Sequence, residues 1–234
     1  MGKTPLTKCE VIERIKNRKT FLYKVDALTT HHYTNDAIDY ILENEIELVN
    51  DEYVLKDAKK ITRIKSYNQK HDKSEKMQNE GELMCSEKWL VKNMFAGKIV
   101  HDDIFGELID YEVPLNNKRN DGAGDIDFIS RKNGKLWMVE IKNYDSEEAI
   151  LKAVLEIQSY YQIVDKEKLI SDYMEDYSLP PDIETEKVVA IFDRTEASKQ
   201  YMESEKVKEL IKMFNIRVVR IIRYADNELC EAEY

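Results

Sequence analysis

The spacing of apolar residues along the chain switches between helical and strand-like periods, and the order of these patterns predicts a mixed α/β fold. Three segments have the spacing of amphipathic helices, at positions 81–95, 146–164 and 197–214. Five have the compact or alternating apolar patterns of strands, at positions 107–116, 124–130, 135–142, 185–193 and 216–224. The resulting order is αβββαβαβ. A hairpin-rich beginning followed by strand–helix–strand crossovers predicts a mixed central sheet flanked by helices.

The first 56 residues have a different pattern, which predicts a small α-rich N-terminal module. Positions 9–17 and 35–44 have helical spacing, and positions 46–57 alternate like a strand pair. Helices followed by a hairpin suit a winged-helix module, but short segments of this kind are common, so a winged helix and a plain α-rich unit both remain open. Residues 57–80 are polar and indicate a basic linker or a solvated helix, and residues 81–234 form the predicted main domain.

Composition restricts the function classes. With 234 residues, of which 42% are hydrophobic, the chain can bury a substantial core, and only seven glycines and four prolines argue against a disordered protein. The net charge of −10 disfavours an indiscriminate nucleic-acid binder. It is compatible with a nucleic-acid enzyme, because carboxylates that hold metal ions contribute to the same total.

Basic residues concentrate between positions 56 and 76, where eight lysines and arginines stand against three acidic residues. Such a run is either a solvated surface or a strip that contacts phosphates. If it contacts nucleic acid, the candidate residues are Lys59, Lys60, Arg63 and Lys65.

The most informative stretch is GAGDIDFISRKNGKLWMVEIKN, at positions 122–143. Its Asn-Gly pair predicts a two-residue type I′ turn, which sets Asp127 opposite Glu140 and Asp125 opposite Lys142. Because side chains alternate along a strand, these four polar residues would share one face of the sheet. The opposite face would carry Ile126, Phe128, Val139 and Ile141.

The facing carboxylates of Asp127 and Glu140 are the first candidate chemistry. Their Cβ atoms would lie about 5 Å apart, where like charges are destabilising. Lys142 would offset this repulsion in part, and a divalent cation would offset it fully. The structural alternative is a polar face whose charges are simply solvated.

Two further polar residues, Glu87 and Gln158, interrupt the apolar stripes of predicted helices. An unpaired carboxylate or amide on such a stripe is costly unless it has a partner. The structural alternatives are an edge position that reaches water for Glu87, and a buried amide bonded to backbone for Gln158.

Together these residues resemble the PD-(D/E)xK nuclease superfamily, which has the restriction-endonuclease-like fold with an αβββαβ core. The signature of that family places an Asp on the second core strand and Glu/Asp-x-Lys on the third, which Asp127, Glu140 and Lys142 match. Glu87 matches the upstream helical acid that many members have. The resemblance covers roughly residues 81–224, so the N-terminal module is outside it.

The chain also departs from the family pattern. Some members carry a Gln-x-x-x-Tyr element on the helix after the third strand, and here Gln158 is followed by Gln162 where the tyrosine would stand. No proline precedes Asp127. Asp125 is an additional acid that the simple signature does not include.

The resemblance implies a metal-dependent nuclease that uses Mg²⁺, with Mn²⁺ as a substitute. The implied metal ligands are Glu87, Asp127, Glu140 and the backbone carbonyl of Ile141. The implied catalytic residues are Asp127, Glu140, Lys142 and Gln158. In that scheme Lys142 would orient the attacking water and stabilise charge on the phosphoryl group, and Gln158 would contact the nucleophile, Lys142 or a phosphate.

The implied partner is nucleic acid, with DNA as the expected form, endonucleolytic cleavage as the expected activity and a homodimer as a compatible assembly. The alternative class is a catalytically inactive nucleic-acid-binding or regulatory protein that keeps the fold. The cysteines match no zinc spacing and no disulfide framework, and no segment is apolar enough for a signal peptide or a membrane span. We therefore expect a cytoplasmic protein that does not enter a membrane.

Overall fold

The structure is a computed structural model, and it describes residues 6–17, 21–24, 33–44, 63–71, 86–117, 124–223 and 229–231. The helices within these ranges are α1 (Lys8–Asn17), α2 (Thr34–Glu43), α3 (Glu87–Phe95), α4 (Asp102–Phe105), α5 (Ile150–Ile163), α6 (Lys166–Tyr177), α7 (Glu196–Glu203) and α8 (Glu205–Met213), with a 3₁₀ helix at Leu22–Lys24. The strands are β1 (Glu107–Pro114), β2 (Asp125–Lys132), β3 (Lys135–Lys142), β4 (Glu184–Phe192), β5 (Ile216–Arg223) and β6 (Leu229–Glu231). No helix in these ranges is long and apolar enough to cross a membrane. The predicted hairpin at positions 46–57, and with it Lys59 and Lys60, lies outside the described residues.

The six strands form one mixed sheet in the order β1-β2-β3-β4-β5-β6. The first three strands are antiparallel neighbours, β3, β4 and β5 run parallel, and β6 is antiparallel to β5. The prediction of a mixed α/β fold with a mixed sheet is therefore confirmed. Because β3, β4 and β5 are parallel, their carboxyl ends lie at one edge of the sheet, which is where open α/β sheets place their ligands.

The β2–β3 hairpin has the predicted register from its turn as far as Phe128 and Val139, but the predicted pairs Asp127–Glu140 and Asp125–Lys142 are not part of the ladder. Lys132 lies opposite Lys135, and Phe128 lies opposite Val139. The two turn residues, Asn133 and Gly134, have φ angles of 52° and 74°, which is the left-handed conformation that a type I′ turn requires at both positions. The local turn signal thus fixes which residues of the two strands face each other.

Two hydrophobic clusters cover the two faces of this sheet. Val139 and Ile141 of β3 belong to the cluster under α3, whereas Leu136 and Met138 belong to the cluster under α5. Glu140 and Lys142 alternate with Val139 and Ile141, so they project toward α5. This alternation brings the polar residues of β3 beneath the helix that follows them.

The predicted apolar face is wrong at Ile126. Phe128 pairs with Tyr111 under α3, but Ile126 pairs with Val113 in the cluster under α5. Glu112 separates Tyr111 from Val113, and its φ angle of 47° interrupts the regular pleat of β1. The pair on one side of Glu112 therefore faces α3, and the pair on the other side faces α5. Strict alternation therefore does not extend to the first residues of β2.

The described parts of the N-terminal region pack on helices of the main domain, the 3₁₀ helix on α5 and α2 on α8. Val11 of α1 and Ile38 of α2 are fully buried and belong to the cluster that also contains α5. Tyr23 in the 3₁₀ helix lies in the same cluster and meets the ring of Tyr160 edge to face, with 5.5 Å between ring centroids. The helical spacing predicted for α1 and α2 is confirmed, and both helices share a core with the rest of the chain.

The described residues 63–71 are not a solvated linker, which is a correction of the expectation for this segment. Tyr67 is fully buried, and its backbone N–H donates to Asp172. Asp110, only 1% exposed, accepts hydrogen bonds from the Gln69 N–H and the Tyr173 hydroxyl and lies 2.7 Å from Nδ1 of His71. These long-range partners, which the polar composition does not reveal, hold the segment against β1 and α6.

Candidate active site

A single lysine lies at the centre of the polar cluster beneath α5. The Nζ atom of Lys142 is 2.6 Å from Oε1 of Glu140 and 3.1 Å from Oε2 of Glu156. Carboxylate oxygens of Glu148 and Glu87 lie farther out, at 3.8 and 3.9 Å. The side chains of Lys142 and Glu140 are 4% and 3% exposed. Four carboxylates from three separate parts of the chain thus surround one buried ammonium group.

Asp127 joins the cluster where the β2–β3 ladder ends. The last regular pair is Phe128 with Val139. Beyond it, Oδ2 of Asp127 accepts a 2.8 Å hydrogen bond from the backbone N–H of Ile141. The side chain of Asp127 therefore takes the place of the next backbone contact, and its carboxylate is held beside Glu140 and Lys142.

The carboxylates of the cluster repel one another, and the pKa values show the consequence. Burial, together with Glu87, raises the pKa of Asp127 to about 7 despite the opposing effects of Lys142 and the Ile141 N–H. Burial and the neighbouring Asp127 raise the pKa of Glu140 well above its usual range. Burial likewise raises the pKa of Glu87. One positive charge is therefore too little to keep all the carboxylates ionised near neutral pH.

Glu156 and Lys142 behave as the ionised pair within the cluster. Burial acts to raise the pKa of Glu156, but Lys142 and hydrogen bonds from Glu140 and Tyr160 outweigh it, and the net shift is downward. Burial acts to lower the pKa of Lys142, but the surrounding carboxylates, Glu140 first, raise it well above its usual range. The two shifts have opposite directions, so Glu156 ionises more readily than Glu140.

Helix α5 contributes Glu156 and Tyr160, which the sequence reasoning missed, in place of Gln158. The hydroxyl of Tyr160 donates a 2.9 Å hydrogen bond to Oε1 of Glu156, one helical turn earlier. Gln158 is two residues from Glu156, or about 200° around the helix, and its Oε1 accepts from Nζ of Lys187 instead. A signal was present: Glu156-x-x-x-Tyr160 has the spacing of the Gln-x-x-x-Tyr element, with glutamate for glutamine.

A glycine allows Tyr160 to reach this position. A Cβ atom on Gly124 would lie 2.1 Å from the Tyr160 hydroxyl oxygen, far closer than atoms can approach. Gly124 directly precedes β2, so the hydroxyl of Tyr160 lies between the start of that strand and Glu156. Tyr23 of the N-terminal 3₁₀ helix contacts the Tyr160 ring edge to face. The wall of the site is thus built from β2, α5 and the N-terminal region.

Glu87 lies near the cluster, as predicted, but its contacts are longer than those of Glu140 and Glu156. It is the first residue of α3, after Ser86, whose hydroxyl accepts from the Trp89 N–H. One carboxylate oxygen of Glu87 is 3.4 Å from the backbone N–H of Asn143, and its side chain is about one-third exposed. The start of α3 thus places a carboxylate at the open side of the cluster, in line with the alternative of an edge position that reaches water.

Two other candidate positions lie away from Lys142. Asp125 is exposed and pairs with Pro114 of β1, and burial and the neighbouring Glu112 raise its pKa. Arg63 is buried, and its guanidinium donates to the backbone carbonyls of Ser66 and Asn116, so it is engaged within the protein. Lys65 is exposed. Of the four predicted nucleic-acid contacts, the structure describes Arg63 and Lys65, and of these two only Lys65 is exposed.

The carboxylates of the cluster are suitable ligands for a hard divalent cation, but in this structure they surround Lys142 instead. Among residues 6–17, 21–24, 33–44, 63–71, 86–117, 124–223 and 229–231, no group of three or more His, Cys, Asp or Glu is arranged to hold a metal ion. Lys142 occupies the space between the carboxylates. Oε2 of Glu140 is nevertheless buried and receives no hydrogen bond in the described part of the chain. Carboxylate oxygens are the ligands that Mg²⁺ prefers, and their surplus over the single lysine fits an additional cation.

Comparisons of the chain with known proteins identified no similar protein. No protein-family model matches the chain, no curated protein matches it, and no solved structure matches it. The functional assignment therefore depends on the site itself.

Proposed function

We propose that the protein is a metal-dependent nuclease of the restriction-endonuclease-like type, which hydrolyses phosphodiester bonds in nucleic acid, with DNA cleaved endonucleolytically as the leading case. The observation that carries the proposal is the crowding of Asp127, Glu140 and Glu156 around Lys142. A structural protein gains nothing from carboxylates whose pKa values are raised toward neutrality. A hydrolase that binds a divalent cation uses the same surplus of negative charge.

The order of the elements supports the same proposal. Helix α3, the β1-β2-β3 meander, helix α5 and β4 follow one another as the αβββαβ core of the nuclease superfamily requires. Asp127 is on the second of these strands and Glu140 and Lys142 are on the third. Helix α4 lies between α3 and β1, α6 lies between α5 and β4, and α7, α8, β5 and β6 follow this core.

The residues of the cluster divide the work of phosphodiester hydrolysis. Asp127, Glu140 and Glu156 would hold Mg²⁺ or Mn²⁺, and Glu87 lies at the edge to complete the set. When bound, the cation would polarise the phosphate and lower the pKa of a water molecule. Lys142 would then be released from Glu140 in part, and its ammonium would stabilise the negative charge that develops as water bonds to phosphorus and a phosphorus–oxygen bond to sugar breaks.

Glu156 and Tyr160 would act as positioning residues. The Tyr160 hydroxyl fixes one oxygen of Glu156, and the other oxygen fixes Lys142. Lysine side chains have several rotatable bonds, so orientation by two acceptors reduces the freedom that would otherwise weaken catalysis. The departure from glutamine to glutamate at position 156 adds a charge to the set and strengthens its fit to a cation.

Cleavage assays test the proposal directly. Labelled linear duplex, circular duplex and single-stranded DNA, and the corresponding RNA, are incubated with Mg²⁺, with Mn²⁺ and with chelator. We expect wild-type cleavage that chelator abolishes, and a loss of at least about 100-fold in Glu140→Gln and Lys142→Ala. Glu175→Gln is the matched control, because Glu175 is exposed on α6.

Metal titration by calorimetry, with no nucleic acid present, separates the proposal from its alternative. Heat of Mn²⁺ binding that disappears in Asp127→Asn supports a cation site formed by the cluster. If neither cleavage nor binding of Mg²⁺ or Mn²⁺ to the cluster is observed, the nuclease proposal is wrong, and the catalytically inactive binding protein is the better description.

A further inference from the structure

A second polar feature lies beside the cluster, at the carboxyl ends of β3, β4 and β5. A cavity of about 460 Å³ is lined there by Tyr144, Phe192, Asp193, Arg194, Ile221 and Ile222. The Cα atom of Tyr144 is within about 7 Å of that of Lys142, because only Asn143 stands between them. The cavity therefore lies at the same end of the sheet as Lys142.

Tyr144 presents an aromatic surface at the cavity. It is 44% exposed, which places it among the few large apolar side chains of the described residues that remain accessible. Its ring meets Phe192 edge to face, with 6.0 Å between centroids, so it is supported from one side and accessible from another. An exposed aromatic ring beside a phosphate site is the surface on which an unpaired nucleic-acid base stacks.

Arg194 supplies a cation at the same cavity, in a backbone conformation that disfavours any residue except glycine. Its φ angle is 64°, and its side chain is 95% exposed. The neighbouring Asp193 is bound by Arg220 and Ser198, and the hydrogen bond from Arg220 lowers the pKa of Asp193. The Nε atom of Arg194 lies 3.9 Å from Oδ2 of Asp193. Backbone strain of this kind concentrates at functional positions.

We propose that this cavity binds an unpaired nucleotide next to the scissile phosphate, with the base on Tyr144 and the adjacent phosphate at Arg194. The inference rests on the proposed nuclease function and narrows its substrate to single-stranded or end-frayed nucleic acid. A base inside a duplex is stacked on its neighbours and is not available to a protein ring, so the cavity favours strands whose bases are already separated.

Binding without cleavage tests the inference. Fluorescence anisotropy in chelator measures the affinity for a labelled single-stranded DNA of about ten nucleotides, within the usual footprint of single-strand sites, and for the matching blunt duplex. We expect tighter binding of the single strand. Tyr144→Ala should weaken single-strand binding by about tenfold or more and duplex binding little, whereas Tyr144→Phe should retain the affinity.

Arg194→Gly provides a variant that cannot fail merely by unfolding, because glycine adopts a positive φ without strain. We expect weaker binding of the single strand and a salt dependence reduced by about one counterion, with thermal stability unchanged or higher. Asn215→Gly is the matched control: Asn215 also has a positive φ, of 50°, but lies in the turn before β5, at the opposite end of that strand from the cavity. Its variant should bind as wild type does.

The outcomes distinguish this inference from the proposed function. If Mn²⁺ binds at the cluster and DNA is cleaved, but Tyr144→Ala and Arg194→Gly leave single-strand affinity unchanged, the cavity assignment is overturned and the nuclease remains. If both variants weaken single-strand binding as expected, the assignment is supported even where cleavage is absent, and the failure then lies with the catalytic proposal.

Discussion

Neutralising a carboxylate of the cluster should stabilise the metal-free protein while abolishing its activity. The clearest case is Asp127→Asn. The asparagine oxygen can still accept the hydrogen bond from the Ile141 N–H, so the substitution removes charge and leaves the local contact in place. Most substitutions at buried polar positions are destabilising, which makes the opposite sign a sensitive test of the crowding.

The magnitude follows from the pKa of Asp127. Burial and its acidic neighbours raise this pKa from an ordinary 3.8 to about 7, and each pKa unit is worth about 1.4 kcal/mol. A folded state that holds its proton more tightly than the unfolded state loses stability as pH rises between the two pKa values. The full shift corresponds to at most about 4 kcal/mol, lost between pH 4 and 7. Because Asp127 and Glu140 raise each other's pKa and Asp127 is partly exposed, we expect about 2 kcal/mol in practice.

Denaturant unfolding in chelator at pH 5 and pH 8 measures the effect. At pH 8 we expect Asp127→Asn to be more stable than wild type by about 2 kcal/mol, a rise in Tm of roughly 4–8 °C for a chain of this size. At pH 5 the difference should fall to less than half of that value, because wild-type Asp127 is then protonated in the folded state but still ionised in most unfolded chains. Asp182→Asn, an exposed aspartate in the turn before β4, is the control and should show no such pH dependence. An Asp127→Asn variant that is less stable than wild type at pH 8 would refute the crowding of charge.

Three further outcomes are expected. Mn²⁺ affinity, measured by calorimetry, should rise by up to about tenfold per pH unit as pH increases through 7, because the cation displaces the proton held by Asp127; affinity that does not vary between pH 6 and 8 would contradict this. Gly124→Ala should destabilise the fold and reduce cleavage, because its methyl group displaces the Tyr160 hydroxyl; a double-mutant cycle with Tyr160→Phe should show a smaller cost of the alanine when that oxygen is absent. Tyr173→Phe should lower the free energy of unfolding by about 1–3 kcal/mol, since it removes a donor to the buried Asp110; an unchanged unfolding midpoint would mean that the bond contributes little.

The sequence by itself determined the local order and the hairpin. Apolar periods predict β1 to β5, α3 and α5 in the right order, and the Asn133-Gly134 turn fixes the register of β2 and β3. The pattern does not predict α4 or α6, and it gives a single helix where the structure has α7 and α8. The turn and the register depend on residues that are close in the sequence, so the sequence of one hairpin is enough to predict its register. That register brings the start of β2 beside the end of β3, and the hydrogen bond from the Ile141 N–H to Asp127 then sets the position of that carboxylate.

Only the tertiary structure decided which other groups reach Lys142. Helical spacing identified Gln158 as unusual, but the rotation of α5 against the sheet points Glu156 at the lysine and Gln158 at Lys187. That rotation is set by packing against distant residues, and a one-dimensional pattern contains no measure of it. The sequence pattern likewise did not reveal that Arg63 is bound within the protein, by the backbone carbonyls of Ser66 and Asn116. It also did not reveal that Tyr23 of the N-terminal region contributes to the wall of the site. Long-range packing therefore converted a predicted pair of facing acids into a buried cluster of carboxylates around a single lysine.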